Sequence, residues 1–229
     1  MKNDEENIVL VEKVLSKNNK IYDLILYLSV SIQIVLMILF LLSLQDPTLN
    51  SFDILGRILS MGLLTTFAIN LGHELGHHES LNDQFLAKVM LLTSLMMHFF
   101  IEHNRGHHKN VATTDDPSTA RMGEMVYSFW FRAIFNEYIS AWDLEFKKMK
   151  KLGYSNISWR NEMIQFQIIQ LMFLAVITFV FGLKICLYFI LNAVIAYLSF
   201  ETVQYIEHYG LLRRKNKKGR HERVGVHHS

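Results

Sequence analysis

The chain has a single cysteine in 229 residues. Cys186 sits inside an apolar run, so no disulfide closes within the chain, no cysteine-ligated cluster forms, and small apolar packing is its plain role. There is no internal repeat and no low-complexity tract. A cleavable leader is not expected either, because the first apolar run begins near residue 24 and is longer than the core of a signal peptide. Two local absences carry more. Residues 24–44 hold no charge across 21 positions, enough at about 1.5 Å per residue to cross a ~30 Å hydrocarbon core. The loop that follows, QDPTLNSFD, holds no lysine or arginine.

What is present is segregated. Apolar residues make up 51% of the chain and charged residues 19%, while the mean hydropathy is positive at +0.18, so polar and apolar stretches alternate along the chain instead of mixing. A second span is expected over residues 58–72, carrying the first histidine cluster at or just beyond the membrane boundary. Residues 85–101 form a doubtful span, since they hold Lys88 and His98. Residues 163–200 contain two spans folded at Gly182-Leu183-Lys184. The expected fold is all-α: a polytopic helical membrane protein with about four to five transmembrane or re-entrant helices and a cytoplasmic histidine-rich metal site. One integral-membrane domain is expected over residues 1–229, with a polar arm at 1–20, a cytoplasmic or interfacial insert at 102–163 and a basic tail at 212–229. Lys2, Lys13, Lys17 and Lys20, set against the loop without a basic residue, place the N-terminus in the cytoplasm. Two crossings later the histidines return to that side. The net charge of +2 hides the basic tail RRKNKKGRHER, which reads as a topology signal and a contact for lipid headgroups; no nucleic acid is expected as a partner. Asp116-Pro117 reads as an N-cap followed by proline at the first helical position, predicting an amphipathic helix from about residue 118 to 151. Its Tyr127, Phe129, Trp130 and Phe131 suit the headgroup level.

Within NLGHELGHHES, His73-Glu74-Leu75-Gly76-His77 matches the H-E-x-x-H helix of zinc proteases. A zinc protease needs two histidines, a further ligand and an open position, and has no use for a second cluster. Here His73-x3-His77-His78 is followed 30 residues on by His103-x3-His107-His108, with His208 later and His221, His227 and His228 near the end. Two nitrogen-rich clusters on one membrane face point to a larger centre, and a dinuclear iron site for O₂ chemistry is the expectation. His98 has no partner at ligand spacing and reads as an ordinary histidine, and His221 reads as solvated in a charged tail. Ionisable residues beside a membrane core are expensive, which favours a functional role for the clustered ones.

Residues 102–124, EHNRGHHKNVATTDDPSTARMGE, resemble the second histidine box and following loop of the membrane alkane monooxygenases, within the histidine-box fatty acid desaturase-like superfamily. HELGHH resembles the first box, SAWDLE at 140–145 a helix after the loop, and QYIEHYGL at 204–211 a single-histidine motif. The resemblance runs from about residue 58 to the end of the sequence. It implies a helical enzyme of the bacterial inner membrane whose two non-haem iron ions activate O₂ and place one oxygen in a terminal C–H bond of a hydrocarbon substrate. Electrons would come from rubredoxin and its reductase. The implied metal ligands are His73 and His77, then His103, His107 and His108, and His208. Glu74, Glu102 and Glu207 each neighbour one of these and become candidates for orienting imidazole N–H groups, with a solvated interfacial carboxylate as the plain alternative.

Two departures from the family pattern stand out. His78 occupies a position usually held by lysine and is not carried over as a ligand. GRHERVGVHHS resembles the approach to a third box of the form Q-R-H-x-x-H-H that the sequence does not complete, so a C-terminally truncated chain, inactive alone, is expected, with His227 and His228 as the only substitutes for three missing ligands. A membrane fatty-acyl desaturase or hydroxylase and a non-catalytic membrane remnant are the alternatives.

Overall fold

The computed structural model describes residues 20–215 and 221–225. The polar arm before Lys20, part of the basic tail, and His227 and His228 lie outside the described residues. In chain order the helices are α1 (Lys20–Ser43), α2 (Ser51–Gly76), α3 (Leu81–Leu92), α4 (Phe99–Glu102), a π-turn (His103–His107), α5 (His108–Asn110), α6 (Val126–Lys151), α7 (Glu162–Phe181) and α8 (Leu183–His208). The all-α expectation holds, and α1, α2, α7 and α8 are long and apolar enough to cross a membrane. Even α7, with 20 residues, reaches ~30 Å. Their outward faces are apolar, with Leu28, Ile32, Val35 and Leu39 of α1 and Leu171, Phe179 and Val180 of α7 exposed, which is a surface for lipid rather than water.

Side chains fix the turns between spans. Asn50 Oδ1 accepts from the backbone N–H groups of Phe52 (2.8 Å) and Asp53 (3.0 Å), and Asp53 Oδ2 accepts from the Asn50 N–H (3.1 Å), satisfying the free donors of the first turn of α2. Arg57 donates to the Ser43 carbonyl at the end of α1 (2.6 Å). The chain turns from α7 into α8 at Gly182, whose φ of +89° suits glycine. Small residues then let helices meet closely. A Cβ on Gly62 would stand 2.6 Å from Ile195 Cγ2 of α8, and one on Gly72 would stand 3.0 Å from Leu91 Cγ of α3. In this packing the C-terminal ends of α2 and α8 arrive at the same end of the bundle.

Three sequence expectations change. The second span is longer than residues 58–72, running to Gly76, so His73 sits in its last turn and His77 caps it. The doubtful stretch at 85–101 is not one helix. α3 ends at Leu92, where the hydroxyls of Thr93 and Ser94 donate back to the Met90 (2.6 Å) and Leu91 (3.0 Å) carbonyls, and Leu95 takes a φ of +57°; the 12 residues of α3 are too few to span a membrane. The helix predicted from residue 118 begins instead at Val126, with Met125 as an N-cap that makes no side-chain bond. Asp116 does not cap it because its buried carboxylate is already engaged, with His107 Nδ1 at 3.1 Å and the Thr119 hydroxyl at 2.5 Å. The intervening loop is pinned by Arg132, which donates to Glu124 (2.7 and 2.8 Å) and to the carbonyls of Pro117 (2.9 Å) and Thr119 (3.0 Å). The start of the basic tail docks on the same loop, with Gly210 N–H on the Ala120 carbonyl (2.9 Å) and Arg213 N–H on that of Ala112 (2.7 Å).

Candidate metal centre

The second histidine cluster lies on a π-turn, and that irregularity decides which histidines meet. In an α-helix, at about 100° per residue, a side chain five positions on points some 140° away. Here the His108 N–H bonds back to the His103 carbonyl, the wider i to i+5 closure of a π-turn, so five residues make little more than one turn and His108 swings toward the face of His103. Gly106 permits the turn to pack, since a Cβ there would lie 2.5 Å from Glu102 Oε1 and 3.1 Å from Leu144 Cδ1. On its outer side Arg105 ties the turn to two other helices, with Nη1 on Glu145 of α6 and Nη2 on Glu162 of α7, both at 2.7 Å. Lys148 joins them on Glu162, also at 2.7 Å.

His73, His77, His103 and His108 thereby converge, and one ring nitrogen from each lies within 4.8 Å of the others. The Nε2 atoms of His77 and His108 face each other at 3.3 Å. His107 and His208 continue the group, with their ring centroids 4.9 Å apart and His107 5.0 Å from His103. His77 and His108 open to solvent, whereas His103, His107 and His208 are each 4% exposed. Two observations fit a bound cation. His103 has no hydrogen-bond partner among the described residues on either ring nitrogen, and neither does His208 Nδ1, an arrangement that costs free energy unless something else occupies those lone pairs. Burial, reinforced by the surrounding imidazoles, also holds His103 well below the usual histidine pKa, so it is neutral and ready to bind a metal. His107 is oriented by Asp116, and because an ionised carboxylate only accepts, the ring proton sits on Nδ1 and leaves the Nε2 lone pair for a ligand.

The other named residues have other surroundings. Glu74 faces Tyr22 of α1, and Glu207 is exposed. Glu102 is fully buried, accepts from the Ser140 hydroxyl at 3.4 Å, and is pushed well above the usual carboxylate range by burial. His78 binds Asp83 (2.9 Å), and His98 is buried with Nε2 3.1 Å from the Tyr197 hydroxyl. His221 is half-buried instead of solvated, and its Nδ1 lies 3.3 Å from the Arg213 carbonyl. Sequence reasoning missed Asp116 as the partner of His107, and it missed Glu137 and Glu201, both 0% exposed beside the centre. Glu201 had a signal, the first acid of α8 after residues 185–200 run without a charge.

Residues 53–228 match the family described as Fatty acid desaturase. The chain belongs to the fatty acid desaturase family. Within that breadth it is similar to alkane 1-monooxygenase of Ectopseudomonas oleovorans, 38% identical over 220 residues that cover 95% of this chain and 55% of the relative. Alkane 1-monooxygenase 1 of Alcanivorax borkumensis is 36% identical over 213 residues, 93% of this chain and 53% of the relative. A xylene/toluene monooxygenase hydroxylase component of Pseudomonas putida is 25% identical over 162 residues, 70% of this chain and 44% of the relative. The chain thus spans about half the length of the curated relatives it matches. Four apolar helices together with these relatives make it an integral membrane protein.

Proposed function

We propose that this chain carries the catalytic region of an O₂-dependent hydrocarbon monooxygenase that places one oxygen atom in a terminal C–H bond of an alkane or similar chain. The observation that carries the reading is the convergence of four histidines within 4.8 Å in a chain 36–39% identical to proteins named alkane 1-monooxygenase. His73, His77, His103, His107, His108 and His208 are the proposed ligands of two non-haem iron ions. When bound, iron supplies the capacity to activate O₂. The protein's part is to keep His103 neutral by burial, to fix the tautomer of His107 through Asp116, and to present an apolar wall. Phe99 stacks on His103 with centroids 4.8 Å apart, and Phe200 packs edge-on to Phe99 at 5.1 Å. Such a wall suits a hydrocarbon end and excludes water from the reacting C–H bond. The balance is RH plus O₂, two electrons and two protons to ROH and water, with rubredoxin and its reductase as the electron source. Membranes containing the full-length protein are expected to hold close to two irons per chain and to convert octane to 1-octanol under O₂ with reduced rubredoxin. Zinc with peptide hydrolysis would revive the protease reading, and a desaturated acyl product would favour a desaturase.

The same reading puts the N-terminus and the histidine end on the cytoplasmic side of a bacterial inner membrane, supported by the lysines before the first span and the absence of lysine and arginine from the loop after it. In a Cys186→Ala background, a cysteine at Asn50 is expected to react with an impermeant label from outside the cell, and one at Lys148 only after the membrane is opened. The reverse pattern would overturn the orientation.

A further inference from the structure

Glu102, Glu137 of α6 and Glu201 of α8 are each 0% exposed, and no lysine or arginine pairs with any of them among the described residues. Glu137 Oε1 accepts from the Ser118 hydroxyl at 2.7 Å and Oε2 from the Tyr197 hydroxyl at 3.3 Å. Tyr197 in turn lies 3.1 Å from His98 Nε2, and the His98 ring meets Tyr138, 37% exposed, at a centroid distance of 5.4 Å. Glu201 sits one turn after Tyr197 and two turns before His208 on α8. No N–H or neutral hydroxyl donor among the described residues reaches either of its carboxylate oxygens, and the side chain that faces them is the Glu137 carboxyl.

Ionised carboxylates so placed would lack both water and a counter-charge, and the arrangement is tolerable when neighbouring acids share a proton. A metal ion is the poorer occupant, because the compact group of possible ligand atoms found among the described residues is the histidine one and includes none of these acids. A proton needs only a pair.

We propose that Glu137 and Glu201 form a proton-sharing carboxyl pair which, with Tyr197 and His98, relays protons toward the histidine centre. The relay rests on the hydroxylation reading, since each turnover of that reaction consumes two protons with two electrons from a reduced electron-transfer protein and one O₂. Tyr197 passes its hydroxyl proton to Glu137 and takes one from His98 Nε2, while His98 takes one at Nδ1, so Tyr197 and His98 end neutral and the carboxyl pair cycles between one and two protons. The protons end in the water and alcohol formed. The groups facing Glu137 are Ser118 and Asp116 from the loop, His107 and Glu102 from the π-turn and α4, and Tyr197 and Glu201 from α8. Burial, assisted by Asp116, raises the Glu137 carboxyl to about 7, where it can both hold and release a proton near neutral pH.

Infrared spectroscopy of the full-length protein in membranes tests the pair without relying on turnover. At neutral pH the wild type should show a protonated-carboxyl C=O band, shifted in D₂O, that Glu137→Gln and Glu201→Gln each remove. A wild type without that band, or a band both variants keep, overturns the proposal. In the iron-loaded enzyme, Tyr197→Phe and Glu201→Gln should keep wild-type iron content but lose about 100-fold in rate, with a larger solvent deuterium isotope effect and a flattened pH profile. Wild-type rate and isotope effect in both variants would also overturn it. A wild type that makes no alcohol counts against the hydroxylation reading alone, and the infrared band then decides the pair.

Discussion

His103→Ala is expected to lose iron more completely than any other single replacement in the histidine group, with affinity falling by more than the roughly 10–100-fold that removal of an outer partner causes. His103 is central: its ring lies 4.1 Å from His73, 4.4 Å from His108 and 5.0 Å from His107 by centroid, so it touches both halves of the group. The metal-free protein should respond differently. The variant gives up two buried ring nitrogens that have no partner among the described residues, each costing roughly 1–3 kcal/mol, which offsets a cavity cost of similar size. Its metal-free Tm should therefore stay within a few degrees of the wild type while the stabilisation gained on loading iron disappears. Iron content after desalting and paired melting curves with and without metal would check both halves. A variant that keeps its iron, or one whose metal-free form collapses, removes His103 from the ligand set. Glu207→Ala is the control, and its exposed carboxylate should leave iron content unchanged.

Asp116→Asn is expected to cost about 10–100-fold in metal affinity although it alters neither volume nor shape. The carboxylate accepts the Nδ1 proton of His107 and the hydroxyl proton of Thr119, and Thr119 in turn accepts the Ala112 N–H at 2.9 Å. An asparagine that keeps its oxygen toward Thr119 turns its NH₂ toward Nδ1. The His107 proton then moves to Nε2 and blocks the lone pair a metal would use. Asp116→Ala leaves the ring free to choose and should be less harmful to metal binding than Asn, although more harmful to stability because Thr119 and His107 both lose a buried partner. Titration with Co²⁺ and a thermal melt would read the two effects separately. Equal affinity for Asn and wild type would show that the tautomer of His107 does not matter.

The spans, the hairpin at Gly182 and the histidine clusters were legible because each rests on a strong local signal: uninterrupted apolar length, or histidines beside it. The stretch around Leu95 was not, since its composition is apolar while its break depends on two hydroxyls competing for carbonyls and on one residue in the left-handed region. Helix α6 shows the same limit. Its buried stripe, Phe129, Ala133, Glu137, Ala141, Glu145 and Met149, follows helical spacing, yet two members are glutamates that a reading by polarity assigns to the solvent side. They are inside because Ser118 and Tyr197 meet one and Arg105 and Lys148 meet the other, partners 19 to 60 residues away in sequence for Glu137. The proximity of His108 to His103 was legible as a spacing but not as a geometry, because the π-turn that produces it has no signature in composition.

The arrangement of the histidine group also sets a timetable. Its members come from the second span, the π-turn and the end of the last span, and the last of them, His208, is made 135 residues after His73. At about 5–20 residues per second the ribosome needs roughly 7–27 s for that interval. Throughout it the early histidines wait at the membrane surface as an incomplete claw. Insertion of the α7–α8 hairpin is what brings His208 to His107, so on the proposed reading the six-histidine group can close on a metal no earlier than that insertion.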